Sequence, residues 1–374
     1  MITANRTGVG PRGIMLPTHI SASLEVGWHY TRQGGVRVYK TFDLANKKKF
    51  YFAVAAEEGQ TTVAGSTPAN TTIWGLQGSP TISLGSGANC NNAPVAGPTI
   101  NGVATTGTAP CSTFASGLSL NAAPDLIGKI AFEPGWGHFE IGVMGRFFRD
   151  RVALTPVVGG VTANSGIASA GTNHTTPAAS VAFNAVLPVV AKKVDIVVTT
   201  LGGRGIGRYS PNGTDVTIRP DGTLQPLLGY SGAIGIETHP TPKLDFMIYA
   251  GDEYIQRSPY YTAFSPGTAT IPVGFPTAGV GYGTVFSIQS GCQVEIPLAG
   301  QACAVSNRNL MEFSPGFWYR FYRGPAGTIQ YGMFYSYQRR AVWTGNQNTA
   351  AIPVLGGPLG QQHEILTAFR WYFP

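Results

Sequence analysis

The stretch Ile20-Ser-Ala-Ser-Leu-Glu-Val-Gly-Trp-His-Tyr30 alternates without error, apolar or aromatic at every even position and Ser, Ser, Glu, Gly or His at every odd one. A period of two predicts a β-strand, because successive strand side chains point to opposite faces. Ile20, Ala22, Leu24, Val26, Trp28 and Tyr30 then lie against something apolar, while Ser21, Ser23, Glu25, Gly27 and His29 face water. In a chain of 374 residues that is 43% hydrophobic, chance supplies such a run on the order of 0.1 times. One run is an indication; recurrence decides the fold.

The pattern recurs. Phe50, Phe52, Val54 and Ala56 alternate with Tyr51, Ala53, Ala55 and Glu57, and Phe139, Ile141, Val143 and Phe147 alternate with His138, Glu140, Gly142 and Arg146. Further strands are expected at about 36–43, 125–133, 178–190, 193–204, 224–239, 243–256, 309–322, 328–341 and 361–373, which makes about 12 in all. Most are long enough for the ~9–11 residues that a tilted strand needs to cross a bilayer, whereas soluble strands average ~5–6.

Composition agrees with a membrane-embedded sheet. Charged residues are 11% of the chain against about 25% in soluble domains, yet no run of 18 uncharged apolar residues exists, which excludes a helical membrane bundle. A secreted β-sandwich, a β-helix or a viral structural protein shares this composition, so the connections must discriminate. Ala45–Lys48, Pro134–Gly137, Val190–Lys193, His239–Lys243 and Gly324–Gly327 are tight turns by composition. They alternate with long polar segments at 58–124, 151–177, 205–223, 257–308 and 342–360. Short periplasmic turns at one rim and long extracellular loops at the other give this alternation directly. The link Thr31–Gly35 is the exception, a short connection where an outer loop is due.

The reading is therefore all-β: a single domain over 1–374, an antiparallel transmembrane up-and-down β-barrel, with 1–19 a loop or extended lead-in. Its expected partner is outer-membrane lipid. Outward aromatics at Trp28, Tyr30, Phe246, Phe317, Tyr319, Phe321, Tyr331, Tyr335, Tyr337, Phe369, Trp371 and Phe373 would form interfacial belts. The net charge of +7 contains only one basic cluster, Lys47-Lys48-Lys49, so nucleic acid is not an expected partner. Cys90 with Cys111 and Cys292 with Cys303 sit in polar stretches without metal-ligand spacing and are disulfide candidates. No signal peptide opens the sequence as it stands.

The segment Pro124-Asp-Leu-Ile-Gly-Lys-Ile-Ala-Phe-Glu-Pro-Gly-Trp-Gly-His-Phe-Glu140 resembles the strand, Gly-Trp-Gly turn and strand of DcaP-type outer-membrane porins, especially their acidobacterial relatives. Asn5–Arg12, Gly203–Tyr209, Gly251–Tyr254 and Pro315–Pro325 look like further pieces of that group. The resemblance implies a barrel of about sixteen strands, so N-terminal strands and a signal peptide are expected to be missing here. It also implies passive uptake of small anionic solutes such as dicarboxylates, a homotrimer, and the cell outer membrane. The end departs from the usual outer-membrane pattern, since Phe373 is followed by Pro374.

Strict alternation turns Glu25, Arg37, His138, Glu140, Arg146, Asp195, Glu237, Asp245, Glu253, Glu312, Arg320 and Arg370 inward, a ladder of both signs that suits a water-filled pore. Arginine matters most for an anionic solute, because a guanidinium stays charged and holds a carboxylate by two parallel hydrogen bonds. Arg37, Arg146, Arg320 and Arg370 are the strand candidates for that role, with Arg12, Arg204 and Arg208 as constriction-loop candidates. The alternative use of each is an ion pair with a neighbouring acid. Catalysis has little to stand on. His138 shares a face with Glu140 and His363 precedes Glu364, but neither lies near a serine elbow or an His-Glu-x-x-His motif. No enzyme activity, cofactor or metal is expected. Two other readings remain open: a structural or adhesive barrel without an open pore, and a secreted soluble β protein.

Overall fold

The computed structural model describes residues 20, 25–29, 31, 33–64, 71–74, 95–100, 103–107, 121–154, 157–158, 161–162, 172–210, 213–267, 273–292, 303, 306–347 and 355–373. Eleven strands follow one another in sequence across a single antiparallel sheet. They are β1 Gly35–Asp43, β2 Lys49–Glu57, β3 Asp125–Glu133, β4 His138–Leu154, β5 Thr172–Val190, β6 Val194–Arg204, β7 Leu228–Thr241, β8 Leu244–Ile255, β9 Asn307–Gly324, β10 Gly327–Val342 and β11 Leu359–Tyr372. Lengths run from 9 to 19 residues, the span that a tilted membrane strand requires. A short strand, Thr71–Trp74, pairs with the far end of β4 and adds a twelfth member off the main path.

The five tight turns stand where the sequence places them, all at one end of the sheet. Asn46 and Lys192 adopt the left-handed conformation there, at φ of 61° and 62°. The long connections all leave from the other end. Each carries a two-stranded pairing of its own, among them Val216–Ile218 with Leu224–Pro226 and Ser258–Phe264 with Pro276–Tyr282. The strand expected at 224–239 is thus two elements, a hairpin arm and then β7. The disulfide between Cys292 and Cys303 is formed in a long loop, while Cys90 and Cys111 lie outside the described residues.

Directly opposed residues of antiparallel strands share a face, and the two faces differ sharply. Outward go Phe52, Val54, Leu126, Ile130, Ile141, Val143, Val181, Phe183, Ile234, Ile236, Phe246, Ile248, Phe313, Tyr319 and Ile365, all exposed. This apolar band runs over the whole sheet, far beyond the few hundred Å² that a soluble monomer tolerates. Near the tight turns Phe246, Phe317, Tyr331 and Phe369 follow one another with centroids 6.3, 6.2 and 5.0 Å apart along the series, a row of rings across four strands. Inward go small residues, paired charges and the buried clusters. One of these joins Ala55, Ile127, Met144, Ala182 and Leu201 of five successive strands to Ile206 and Tyr209 of the loop after β6, so the sheet curls around that loop.

Two expectations are corrected. Within the stretch Ile20–Tyr30 the described residues, 20 and 25–29, lie in no strand: Val26 and Gly27 form a turn, and all five of 25–29 are buried, Glu25 and His29 as completely as Trp28. Perfect alternation reports two alternating side-chain chemistries, and a segment enclosed on both sides meets that condition as well as a strand at a water boundary. The exceptional link Thr31–Gly35 has the same cause, being the exit of this segment towards β1. Barrel closure is the second. Among the described residues β1 pairs only with β2 and β11 only with β10, so the sheet is open between Gly35–Asp43 and Leu359–Tyr372. The lead-in 1–19 lies outside the described residues.

The outward face generates a prediction for the chain refolded into lipid vesicles. Val143→Arg, at a site 54% exposed in the middle of β4, should cost about 2–4 kcal/mol in equilibrium unfolding, as at a bilayer midplane. A water-facing site would change by less than about 0.5 kcal/mol.

Candidate functional site: the inner face and the segment that crosses it

The described residues between 20 and 34 meet the inner face of one strand after another, from β11 and β8–β10 at Ile20 to β2 at Gln33. Ile20 packs with Met247, Tyr249, Trp318 and Phe334 of β8–β10, and its carbonyl accepts a hydrogen bond from Arg370 at 3.1 Å. The Glu25 carboxyl lies 3.2 Å from Ser314 Oγ of β9. The Val26 amide donates to Glu312 at 2.9 Å, and the Gly27 amide donates to Glu253 at 3.0 Å. Trp28 packs on Val197 and Ala233, His29 meets Thr199 at 3.2 Å, and Gln33 donates to Glu57 and to Tyr209.

Glycine makes this seat possible. Gly27 has φ of +81°, and a Cβ there would fall 2.0 Å from the Gly232 carbonyl oxygen. A Cβ on Gly251 would fall 1.7 Å from the Val26 carbonyl oxygen. Main chain therefore lies directly on main chain, and two glycines, Gly27 and Gly251, are the condition for it.

Burial sets the charge states of the segment. The Glu25 carboxyl is pushed up to about 9 by desolvation, with Glu312 adding to the effect. The His29 imidazole is pushed down to about 3, again by desolvation first and then by Lys129. Both side chains are neutral at pH 7. In the loop after β6, burial beside Asp125 raises the Tyr209 phenol, which donates to Asp125 at 2.9 Å.

The strand residues expected to face inward do so. Towards the long loops, Arg146 is buried and fully committed: Nε donates to Asp125 at 3.0 Å, Nη1 to Asp215 at 2.5 Å and Nη2 to the Gln60 carbonyl at 2.7 Å. Its guanidinium also stacks 4.7 Å over Phe148 and 5.4 Å over Tyr209. Arg146 is thus a structural ion-pair centre and not an open anion ligand. Of the two uses expected for it, this geometry is that of the ion pair. Glu140 binds Lys129 and His138, both at 3.0 Å, and accepts from Asn184. Glu237 accepts from Tyr249 at 2.7 Å, and Asp245 is held by His239 at 2.8 Å and by Arg320. Glu253 and Glu312 hold the crossing segment. Arg37 lies on the inner face of edge strand β1, opposite Ala55, with its guanidinium 5.5 Å from the Tyr39 ring.

Of the loop arginines, Arg204 donates to the Pro226 carbonyl and Arg208 to Gln33, while Arg12 lies outside the described residues. Near the tight turns the register aligns Arg320, Gln330 and Arg370 in one row across β9, β10 and β11. With Arg323, Trp318, Asp245 and Tyr372 they line a cavity of about 410 Å³. The Arg370 guanidinium stacks 4.4 Å over Trp318. Three guanidiniums converge there with one carboxylate, Asp245, so the cavity carries excess positive charge. Asp125, Lys129 and Arg323 were not among the residues singled out by sequence. For the first two the alternation Asp125, Ile127, Lys129, Ala131 was a sufficient signal. Asp215, in a loop, carried none.

Three outcomes follow from this geometry. Gly251→Ala should lift the crossing segment, seen as at least tenfold faster amide exchange in peptides covering residues 25–29. Arg146→Met should cost about 3–5 kcal/mol in unfolding, because it strands two buried carboxylates. Docking of the segment should also depend on pH. Glu25, raised from 4.5 to about 9, favours docking fully below 4.5 and loses that contribution as pH rises to 9. His29, lowered from 6.5 to about 3, favours docking above 6.5 and loses that contribution as pH falls to 3. The two slopes oppose each other between 4.5 and 6.5, so exchange corrected for its intrinsic rate should be slowest in that window and should quicken towards pH 9.

Comparison with known protein families and with curated proteins finds no match. Among solved structures, the crystal structure of the outer membrane channel DcaP of Acinetobacter baumannii matches over 99% of this chain and 70% of that one. The TM-score is 0.52 at 12% sequence identity. The chain has the DcaP-like all-β fold, with its eleven long strands in one antiparallel sheet.

Proposed function

We propose that this chain forms the wall and the constriction of an outer-membrane channel for passive diffusion of small anionic hydrophilic solutes, dicarboxylates among them. The observation that carries this reading is the division of the sheet. Its outer face carries a broad apolar band, and its inner face holds paired charges, a crossing segment and the cavity of Arg320, Arg323 and Arg370. A lipid-facing exterior around a polar interior is the arrangement of a transmembrane pore. The crossing segment narrows the passage, and the arginine row gives an anion a place to exchange water for guanidinium hydrogen bonds. The DcaP fold supports the channel reading, and the same resemblance supports a homotrimer. Catalysis has no part in this proposal.

One observation favours a second reading, a structural or adhesive barrel without an open pore: residues 25–29 are wholly buried against the inner face. Planar-bilayer recording separates the two. Under a KCl gradient the channel reading predicts a reversal potential on the anion side, shifted towards zero by Arg320→Gln with Arg323→Gln. Deletion of residues 20–33 should raise single-channel conductance several-fold. Cation preference in the unaltered chain sinks the anion assignment, and absence of conductance in both proteins leaves the closed barrel as the reading. Extraction from membranes without detergent would instead mark a secreted soluble protein.

A further inference from the structure

A second polar constellation lies at the tight-turn rim, beside the arginine cavity but distinct from it. Asp195 of β6 stands directly opposite Glu237 of β7, both on the inner face. Like charges in that position repel, and a cation between them would relieve the repulsion. His239, two residues beyond Glu237 on the same strand, completes a trio whose ligand atoms all lie within 4.8 Å of one another.

The imidazole is oriented in a particular way. His239 Nδ1 is 2.8 Å from Asp245 Oδ1, and the carboxylate can only accept, so Nδ1 carries the proton. Asp245 is itself fixed on its other oxygen by Arg320. In the neutral ring Nε2 is then left with a lone pair, and it points at Asp195 Oδ2 from 3.7 Å. That distance is too long for a hydrogen bond. It suits two ligands of one ion, since atoms each about 2.0–2.2 Å from a shared zinc lie roughly 3.3–4 Å apart. A histidine that ligates through one nitrogen and donates from the other to a carboxylate is the usual second-layer arrangement of metal sites. Glu237 is held at one oxygen by Tyr249, and Asp195 and His239 remain partly open to solvent, which gives an ion a way in.

We infer that Asp195, Glu237 and His239 bind a divalent transition-metal ion of the zinc class at the tight-turn rim, with Asp245 and Arg320 orienting the histidine. One nitrogen and two carboxylate ligands suit such an ion better than magnesium or calcium, which take oxygen alone. The remaining coordination positions belong to water. The site does not depend on transport.

The test uses the full chain, refolded in detergent without a polyhistidine tag, and isothermal titration with zinc chloride. One zinc per chain is expected. Glu237→Gln and His239→Ala should each lower the affinity at least tenfold, and Asp245→Asn by about 10–100-fold as an orienting residue. His363→Ala, on the outer strand β11, should leave it unchanged. A second measurement avoids dependence on folded variants: zinc should protect His239 of the unaltered chain from diethylpyrocarbonate, read by mass spectrometry. No saturable zinc binding, binding that survives in both folded ligand variants, or modification of His239 that zinc does not slow would overturn the assignment and leave a histidinium bridging two aspartates.

Discussion

The contact on which the rest of the inner face depends is main chain against main chain, Val26–Gly27 lying on Gly232 and Gly251. A segment that crosses a sheet makes no ladder with it, so its amides must find acceptors elsewhere or remain buried and unsatisfied. Glu312 and Glu253 supply them, at 2.9 and 3.0 Å. Two inward carboxylates that could have lined a water-filled passage are thereby committed to the backbone of residues 26 and 27. Their lengths match the approach only because nothing larger than hydrogen stands at 27 and 251. The position of Trp28 on Val197 and Ala233, and of His29 on Thr199, follows from that seat.

The same economy governs the arginines. Arg146, deep among Asp125, Asp215 and two aromatic rings, is where a buried guanidinium has to be: paired on every side, since an unpaired charge there would cost several kcal/mol. It ties β4 to the loops before β3 and after β6, and it cannot release a carboxylate partner to greet a solute. At the opposite end Arg320, Arg323 and Arg370 reach solvent at the wall of the cavity, with Arg320 held by Asp245. Water already touches these guanidiniums, so an incoming anion can exchange with solvent there. The inner face therefore has a structural charge centre near the long loops and an exchangeable one near the tight turns.

The strands were legible because lipid imposes one simple rule on every second residue, and a rule applied on eleven strands leaves a repeated trace. Turn and loop positions were legible for a related reason, since Pro, Gly and Lys gather where the chain reverses at one rim. The stretch at 20–30 was misread because alternation records chemistry and not direction: Glu25 and His29 are polar, but their partners Ser314 and Thr199 lie some 170 to 289 residues away in sequence. Arg146 was placed on the inner face, but its role stayed divided between solute ligand and ion pair for the same reason. Its partner Asp215 sits in a loop, and no local pattern predicts which loop folds back onto a sheet.

Asp245 joins the two constellations at the tight-turn rim. One oxygen receives His239 and the other receives Arg320, so the carboxylate is shared between the proposed cation trio and the proposed anion row. A carboxylate divided between two donors binds each less firmly than one committed to a single partner. A metal ion on Nε2 makes Nδ1–H a stronger donor, which draws charge on Asp245 towards His239 and away from Arg320. Arg320 then offers more of its own charge to the cavity. Cation binding at one site and anion affinity at the other are thereby coupled through a single side chain, and reciprocally so, because a coupling free energy acts equally in both directions.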